Sequence, residues 1–185
     1  MAGLVDFDAV LDAAQRGDER AVASLYRDLQ PRLAGYLRAR EPRAADDIEG
    51  EVWLAVAQGL TRFSGGEEAF RAWIFSIAHR RVADFRRTAA RRGTVPVPNE
   101  ELERATRNDP ESLVLESLSA AEATAFVTAT LSADQAEVVL LRVIGGLEVE
   151  QVAELLGKRP GTVRVLQHRA LRRLQTELAK GRVTR

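Results

Sequence analysis

The chain has 185 residues, room for one domain or two small ones, and its 27 Lys/Arg balance 27 Asp/Glu. It holds no cysteine, which excludes disulfides and thiolate metal sites and fits a reducing compartment. Its longest apolar candidate, residues 138–144, is interrupted by Arg142 and falls short of the ~18 residues of a membrane span; the acidic start MAGLVDFDAV lacks the basic n-region of a signal peptide.

Sparse glycine and proline, with abundant Ala, Leu, Arg and Glu, predict helices. The zero net charge conceals an alternation: −5 over residues 1–70, +6 over 71–92, −9 over 93–157 and +8 over 158–185. Two basic blocks, each preceded by an acidic stretch, suggest two surfaces that face polyanions.

Asp6 can cap a first helix with Phe7, Val10, Leu11 and Ala14 as its apolar stripe, and Gly17-Asp18 breaks it. A longer helix follows, with Ala21, Val22, Leu25, Tyr26, Leu29, Leu33, Tyr36 and Leu37 inward and Pro31 as a potential kink, before a turn over 38–43. The next helix begins near Asp46 and turns Ile48, Val52, Ala55, Val56 and Leu60 to one side. Asp46, Asp47, Glu49 and Glu51 crowd its first turns; the helix dipole favours acids there, and four of them could equally form a docking surface for a basic partner.

A polar loop, TRFSGGEE, leads into a helix over about 69–87 with Phe70, Ile74, Ile77, Ala78, Val82 and Phe85 inward and Arg71, Arg80, Arg81, Arg86 and Arg87 elsewhere on its surface. Aromatic rings beside a basic helix suit single-stranded nucleic acid, because every base has a stackable face. Helical spacing assigns Phe70 and Trp73 to the core instead, which leaves Phe63, in its glycine loop, as the ring expected to be exposed. Residues 93–112 lose periodicity and read as an acidic, proline-bearing linker. Helix resumes over 113–130; Ser132 and Gln135 then form a capping box for a helix over 136–144 that stops at Gly145-Gly146.

The last segment, LEVEQVAELLGKRPGTVRVLQHRALRRLQTEL, is two helices around a tight turn. Val149, Val152, Ala153 and Leu156 recur at i, i+3, i+4 and i+7; Gly157 can end a helix left-handed, and Pro160 suits a first helical position. The second helix buries Val163, Leu166, Ala170 and Leu174 and carries Arg164, Gln167, His168, Arg169, Arg172 and Arg173 elsewhere. A solvated helix would mix its charge signs, whereas this one is almost wholly basic, as in a DNA-binding helix-turn-helix. The expected fold is therefore all-α: two small helical domains joined by a flexible linker, the second containing the helix-turn-helix.

Enzyme chemistry finds no footing. The only histidines, His79 and His168, lie in basic helices without nearby partners for a metal site or a triad, and no phosphate-binding glycine loop is present. No cofactor is expected.

The blocks LYRDLQPRLAGYLRAR, DDIEGEVWLAV, RFSGGEEAFRAWIFSIAHRRVADFRR and LSADQAEVVLLRVIGGLEVEQVAELLGKRPGTVRVLQHRALRRL resemble, in order, those of bacterial RNA polymerase sigma factors of the two-domain extracytoplasmic-function (ECF) type. The resemblance covers roughly residues 20–92 and 117–178. It implies that residues 1–92 bind core RNA polymerase and recognise and melt the minus-ten element, that 93–112 link, and that 113–185 read the minus-thirty-five element as duplex DNA. It also implies a cytoplasmic location and control by an anti-sigma factor.

By position, the resemblance places Asp47 and Glu51 on the core-binding helix and Phe63 with its loop where a flipped minus-ten base is held. Arg80, Arg81, Asp84, Arg86 and Arg87 fall on the helix facing that element. Thr162, Arg164, Gln167, His168, Arg169 and, by its charge, Arg172 fall to the minus-thirty-five side. Three departures from the family pattern stand out: Gly50 replaces a common glutamine, Arg80 an asparagine, and Val165-Leu166-Gln167 the usual Ser-Arg-Leu. Gln167 is able to pair with an adenine edge. The rival readings are a helix-turn-helix regulator with an N-terminal sensing or dimerisation domain, and a sigma mimic that sequesters a regulator.

Overall fold

The computed structural model describes residues 6–91 and 120–183. Among them are eight α-helices and no strand: α1 (Phe7–Gln15), α2 (Glu19–Arg40), α3 (Ala45–Gly59), α4 (Glu67–Arg91), α5 (Ala120–Thr130), α6 (Ala133–Val139), α7 (Val149–Leu155) and α8 (Pro160–Val183). The expected linker, 93–112, and the expected helical stretch 113–119 lie outside the described residues.

Local signals set the helix ends. Asp6 and Asp18 accept backbone N–H bonds at the starts of α1 and α2. Ser132 with Gln135, and Glu148 with Gln151, close capping boxes on α6 and α7. Gly157, at φ +61°, ends α7 left-handed, and the Lys158 N–H reaches back to the Ala153 carbonyl at 2.8 Å. α2 runs through Pro31 and extends to Arg40, so the turn expected over 38–43 begins later. The apolar run after α6 is helical, as its capping box predicts, but it widens into a π turn over Leu140–Ile144.

α1–α4 pack around Leu25, Leu33, Leu37, Val52, Phe70, Ile74 and Phe75, all nearly or fully buried. Three side chains expected inward are not. Phe85 is 40% exposed because α4 outruns α2: Arg86 already grips the Arg40 carbonyl and the Glu41 carboxylate at α2's end. Tyr26 is 42% exposed because its ring leans on Trp53 at the α2–α3 edge, centroids 4.7 Å apart, and Val22, one turn earlier on α2, is equally exposed.

The second half does not have a core to itself. Val138, Leu140, Leu141, Leu147, Val152, Ala153 and Val163 join the same apolar cluster as α1–α4. A smaller cluster of Leu131, Ala136, Val139 and Ala170 seats α8 on α6. No helix among the described residues is long and apolar enough to cross a membrane.

Candidate nucleic-acid and polymerase interfaces

On α4, helical spacing lines up Arg80, Asp84, Arg87 and Arg91 at i, i+4, i+7 and i+11, an exposed stripe pointing away from the core, with Trp73 two turns before it. Arg80 is exposed, with its guanidinium folded back on the Ser76 carbonyl (3.1 Å) and hydroxyl (3.0 Å). Arg87 pairs with Asp84, and Arg81 lies 3.7 Å from Glu51 of α3. Arg86 is apart from these, turned to the end of α2 as described above.

Phe63 is not the exposed ring that its glycine loop suggested. It is half-buried, stacked on Trp73 at 5.1 Å and 27°, and edge-on to Phe70 at 5.1 Å. Gln15 holds the loop in place by donating to the Leu60 and Phe63 carbonyls at 2.9 and 2.7 Å. Gly59 makes room for the stack, since a Cβ there would stand 2.7 Å from Trp73. Phe70 is buried, as its spacing predicted, and Trp73 packs half-buried against the core. The result is an aromatic ledge continuous with the basic stripe of α4.

On α3, Asp47 and Glu51 are exposed. Gly50 is exposed beside them, with nothing within 4 Å of where a Cβ would be. Tyr26, Gln30, Arg38, Asp46, Glu49 and Trp53 surround it to form a shallow hollow. Gln30 donates to Glu49 at 3.2 Å, and Asp46 lies 4.0 Å from Arg38.

On α8, Thr162, Arg164, His168, Arg169 and Arg172 are exposed, whereas Gln167 is half-buried beside the inward stripe of Val163, Ala170 and Leu174. Arg164 pairs with Glu150 of α7 at 2.7 Å, and Lys158 with Asp134 of α6 at 3.0 Å, so neighbouring helices brace both ends of the turn. Val165, which drew no role from its sequence context, is exposed between Arg164 and His168.

A second group escaped the sequence altogether. Glu137 of α6 is 5% exposed and enters the space between α2 and α4. Its Oε1 accepts from the Tyr36 hydroxyl at 2.6 Å and stands 3.0 Å from His79 Nδ1, which donates in the tautomer protonated there. The Arg40 guanidinium is 2.6 Å from Oε2, an ion pair by distance without hydrogen-bond alignment. Burial alone would favour the neutral acid, but His79, Arg40 and Tyr36 together outweigh it and hold the carboxyl below its usual range. Burial, and then the Glu137 charge, push the Tyr36 phenol well above its ordinary value. The one available signal was a lone acid inside the apolar run AEVVLL. Two further contacts cross the same seam: Arg71 to the Gly146 carbonyl at 3.3 Å, and Gln151 to the Glu68 carbonyl at 3.2 Å.

Comparison with known proteins adds to this geometry. Residues 25–92 match the family model described as Sigma-70 region 2, and residues 123–174 match Sigma-70, region 4. The chain is 34% identical to the ECF RNA polymerase sigma factor SigD of Mycobacterium tuberculosis, over 92% of this chain and 83% of that one. It is 36% identical to ShbA of Streptomyces griseus, another ECF RNA polymerase sigma factor, over 90% of this chain and 92% of its relative. In fold it is similar to CnrH, solved in complex with the cytosolic domain of CnrY (TM-score 0.63, 23% identity, 93% of this chain and 96% of that chain). It is also similar to the Bartonella quintana sigma factor RpoE, solved with the anti-sigma factor NepR (TM-score 0.62, 22% identity, 86% and 98%).

Proposed function

The chain belongs to the ECF family of RNA polymerase sigma factors, and from that premise we propose how its residues divide the work of promoter recognition. As a sigma factor it is not an enzyme but a subunit that binds core RNA polymerase, directs it to promoters and assists DNA melting. In our reading residues 1–92 engage core and the minus-ten element, 93–112 link, and 113–185 read the minus-thirty-five element. The protein works in the cytoplasm, where its polymerase and promoters are.

The observation that carries this reading is the pair of outward basic faces, one on α4 beside an aromatic ledge and one on α8 behind a glycine turn. Asp47 and Glu51 present carboxylates to a basic surface of core, with the hollow at Gly50 between them. Arg80, Arg81, Arg86 and Arg87 engage minus-ten DNA, with Asp84 orienting Arg87; Arg86 would first release the end of α2. Phe63, backed by Trp73, stabilises an extruded base, at a cost of a few kcal/mol of unstacking. On α8, Arg164, Arg169 and Arg172 position the helix on phosphates, while Thr162, Gln167 and His168 approach base edges. Gln167 does so from the flank of the helix.

By their names the two elements lie about 25 base pairs apart, or ~85 Å at ~3.4 Å per pair. Arg71 and Gln151 hold the start of α4 against Gly146 and the start of α7 against Glu68. The helices that carry the basic faces, α4 and α8, are each only about 37 Å long. Gripping both elements therefore requires α1–α4 and α5–α8 to part. The linker expected over 93–112, fully extended, could span about 70 Å. The likeness to folds solved with protein partners supports an anti-sigma factor that binds and holds the closed form.

Reconstitution tests the reading. Purified chain plus core polymerase should give run-off transcripts from a subset of a randomised promoter library. DNA binding without core and without transcripts would instead identify a helix-turn-helix regulator, and neither activity would identify a mimic.

A further inference from the structure

We infer that Val165 reads a thymine in the minus-thirty-five element through its C5-methyl group, and so sets part of this protein's promoter choice. The inference rests on the assignment of α8 to duplex recognition and adds a residue and a base to it. Buried Val163 and Ala170, with half-buried Leu166 and Leu174, mark the inward side of α8. Val165, His168 and Arg172 recur at i, i+3 and i+7 on the opposite side, with Thr162 and Arg169 flanking them. Val165 stands at the centre of that face and is 48% exposed.

A single exposed valine is common on protein surfaces and proves nothing alone. Its placement is what matters. A β-branched residue on an exposed helix face is disfavoured relative to alanine and gains no packing there. Here the valine stands on a face with Arg169 and Arg172, beside Arg164, cations that would carry it into a groove lined with phosphates. In the major groove, thymine is the one base that offers a methyl group, and short apolar side chains meet it. Valine can neither donate nor accept a hydrogen bond, so among the four bases only thymine gives it a favourable partner. Gln167, half-buried on the flank, leaves the centre of the face to Val165.

The test uses the holoenzyme formed by the full chain and core polymerase. Promoters are first selected from a library randomised across the minus-thirty-five element. Each thymine of the selected duplex, on either strand, is then replaced singly by deoxyuridine, which removes the methyl and leaves every hydrogen-bonding group. At one position or two adjacent ones, affinity should fall about fourfold, the equivalent of one buried methyl-sized group at ~0.8 kcal/mol. Val165→Ala should bind the thymine promoter with the same loss and show no further loss on deoxyuridine substitution. Val165→Thr, which keeps one of the γ-methyls whose reach alanine's Cβ lacks, should retain the sensitivity. If selection yields a defined element but no thymine is sensitive, or if Val165→Ala keeps the deoxyuridine penalty, the valine assignment is overturned while the role of α8 stands. If selection yields no preference across the element, both fall.

Discussion

Arg172 and Val165 illustrate how two exposed residues on one helix face make different predictions. Arg172 is charged, and its attraction to phosphate does not depend on sequence. Arg172→Ala should therefore weaken holoenzyme binding to every promoter alike and lower the salt-dependence slope by about one phosphate contact, as read by titration at several salt concentrations. Val165 is uncharged and should alter preference without touching that slope. Gln167 belongs with Val165: its replacement by alanine should relax selection at one base pair only. Uniform loss across all sequences for Gln167→Ala would remove it from the base-reading set. Phe63 shows the limit of residue-by-residue reading. A ring in a glycine loop invites the expectation of exposure, but Trp73, ten residues later in the chain, turns its face to that ring because Gly59 leaves it room. The spacing within either segment could not announce their meeting.

Helices were the most legible level. Caps, breakers and 3.6-residue spacing act over a few residues, so Asp6, Ser132, Gly157 and Pro160 mark boundaries that the structure keeps. The departures have physical causes at element ends. Phe85 continues the apolar stripe of α4 past the point where α2 can cover it, and the π turn at Leu140–Ile144 re-aims the chain before Gly146. The turn between α7 and α8 is the element with the least latitude. Gly157 is held at φ +61°, where a Cβ meets no neighbour but the backbone itself resists one. Gly157→Ala should cost about 1 kcal/mol in urea unfolding and reduce promoter binding through misplacement of α8. An equally stable variant with unchanged binding would show that the turn tolerates another path.

At the scale of the whole molecule, the Glu137 cluster joins the two halves. Removing one member of a buried pair leaves the other charge without its partner, so Glu137→Ala strands Arg40, whose side chain is only 12% exposed. The closed form should lose about 3 kcal/mol, seen as a larger radius of gyration by small-angle scattering. Replacing Glu137 and Arg40 together by methionine should cost less, because no buried charge remains. pH acts on the same cluster. The Glu137 carboxyl, faced by Tyr36, Arg40 and His79, is held below its usual range, so its contribution is present above the ordinary glutamate value of about 4.3 and is lost as pH falls through the lower folded value. The raised Tyr36 phenol contributes below its ordinary value of about 10, and that contribution declines as pH rises beyond it. Scattering across pH should thus show expansion at both extremes. A Glu137→Ala protein that remained as compact as the parent would argue that apolar contacts alone hold the halves together.

The amino-acid sequence by itself determined the all-helical architecture, the helix-turn-helix, the two basic helices and the family. Each of these is written in local periodicity, in turn chemistry or in the order of motif blocks along the chain. Only the tertiary structure decided that the halves share one core, that Glu137 is their buried tie, that Phe63 stacks on Trp73, and that Val165 rather than Gln167 centres the face of α8. Helical spacing says which residues share a face. What covers that face depends on where segments far away in the chain come to pack, as Glu137 shows in lying 101 residues from the tyrosine that binds it.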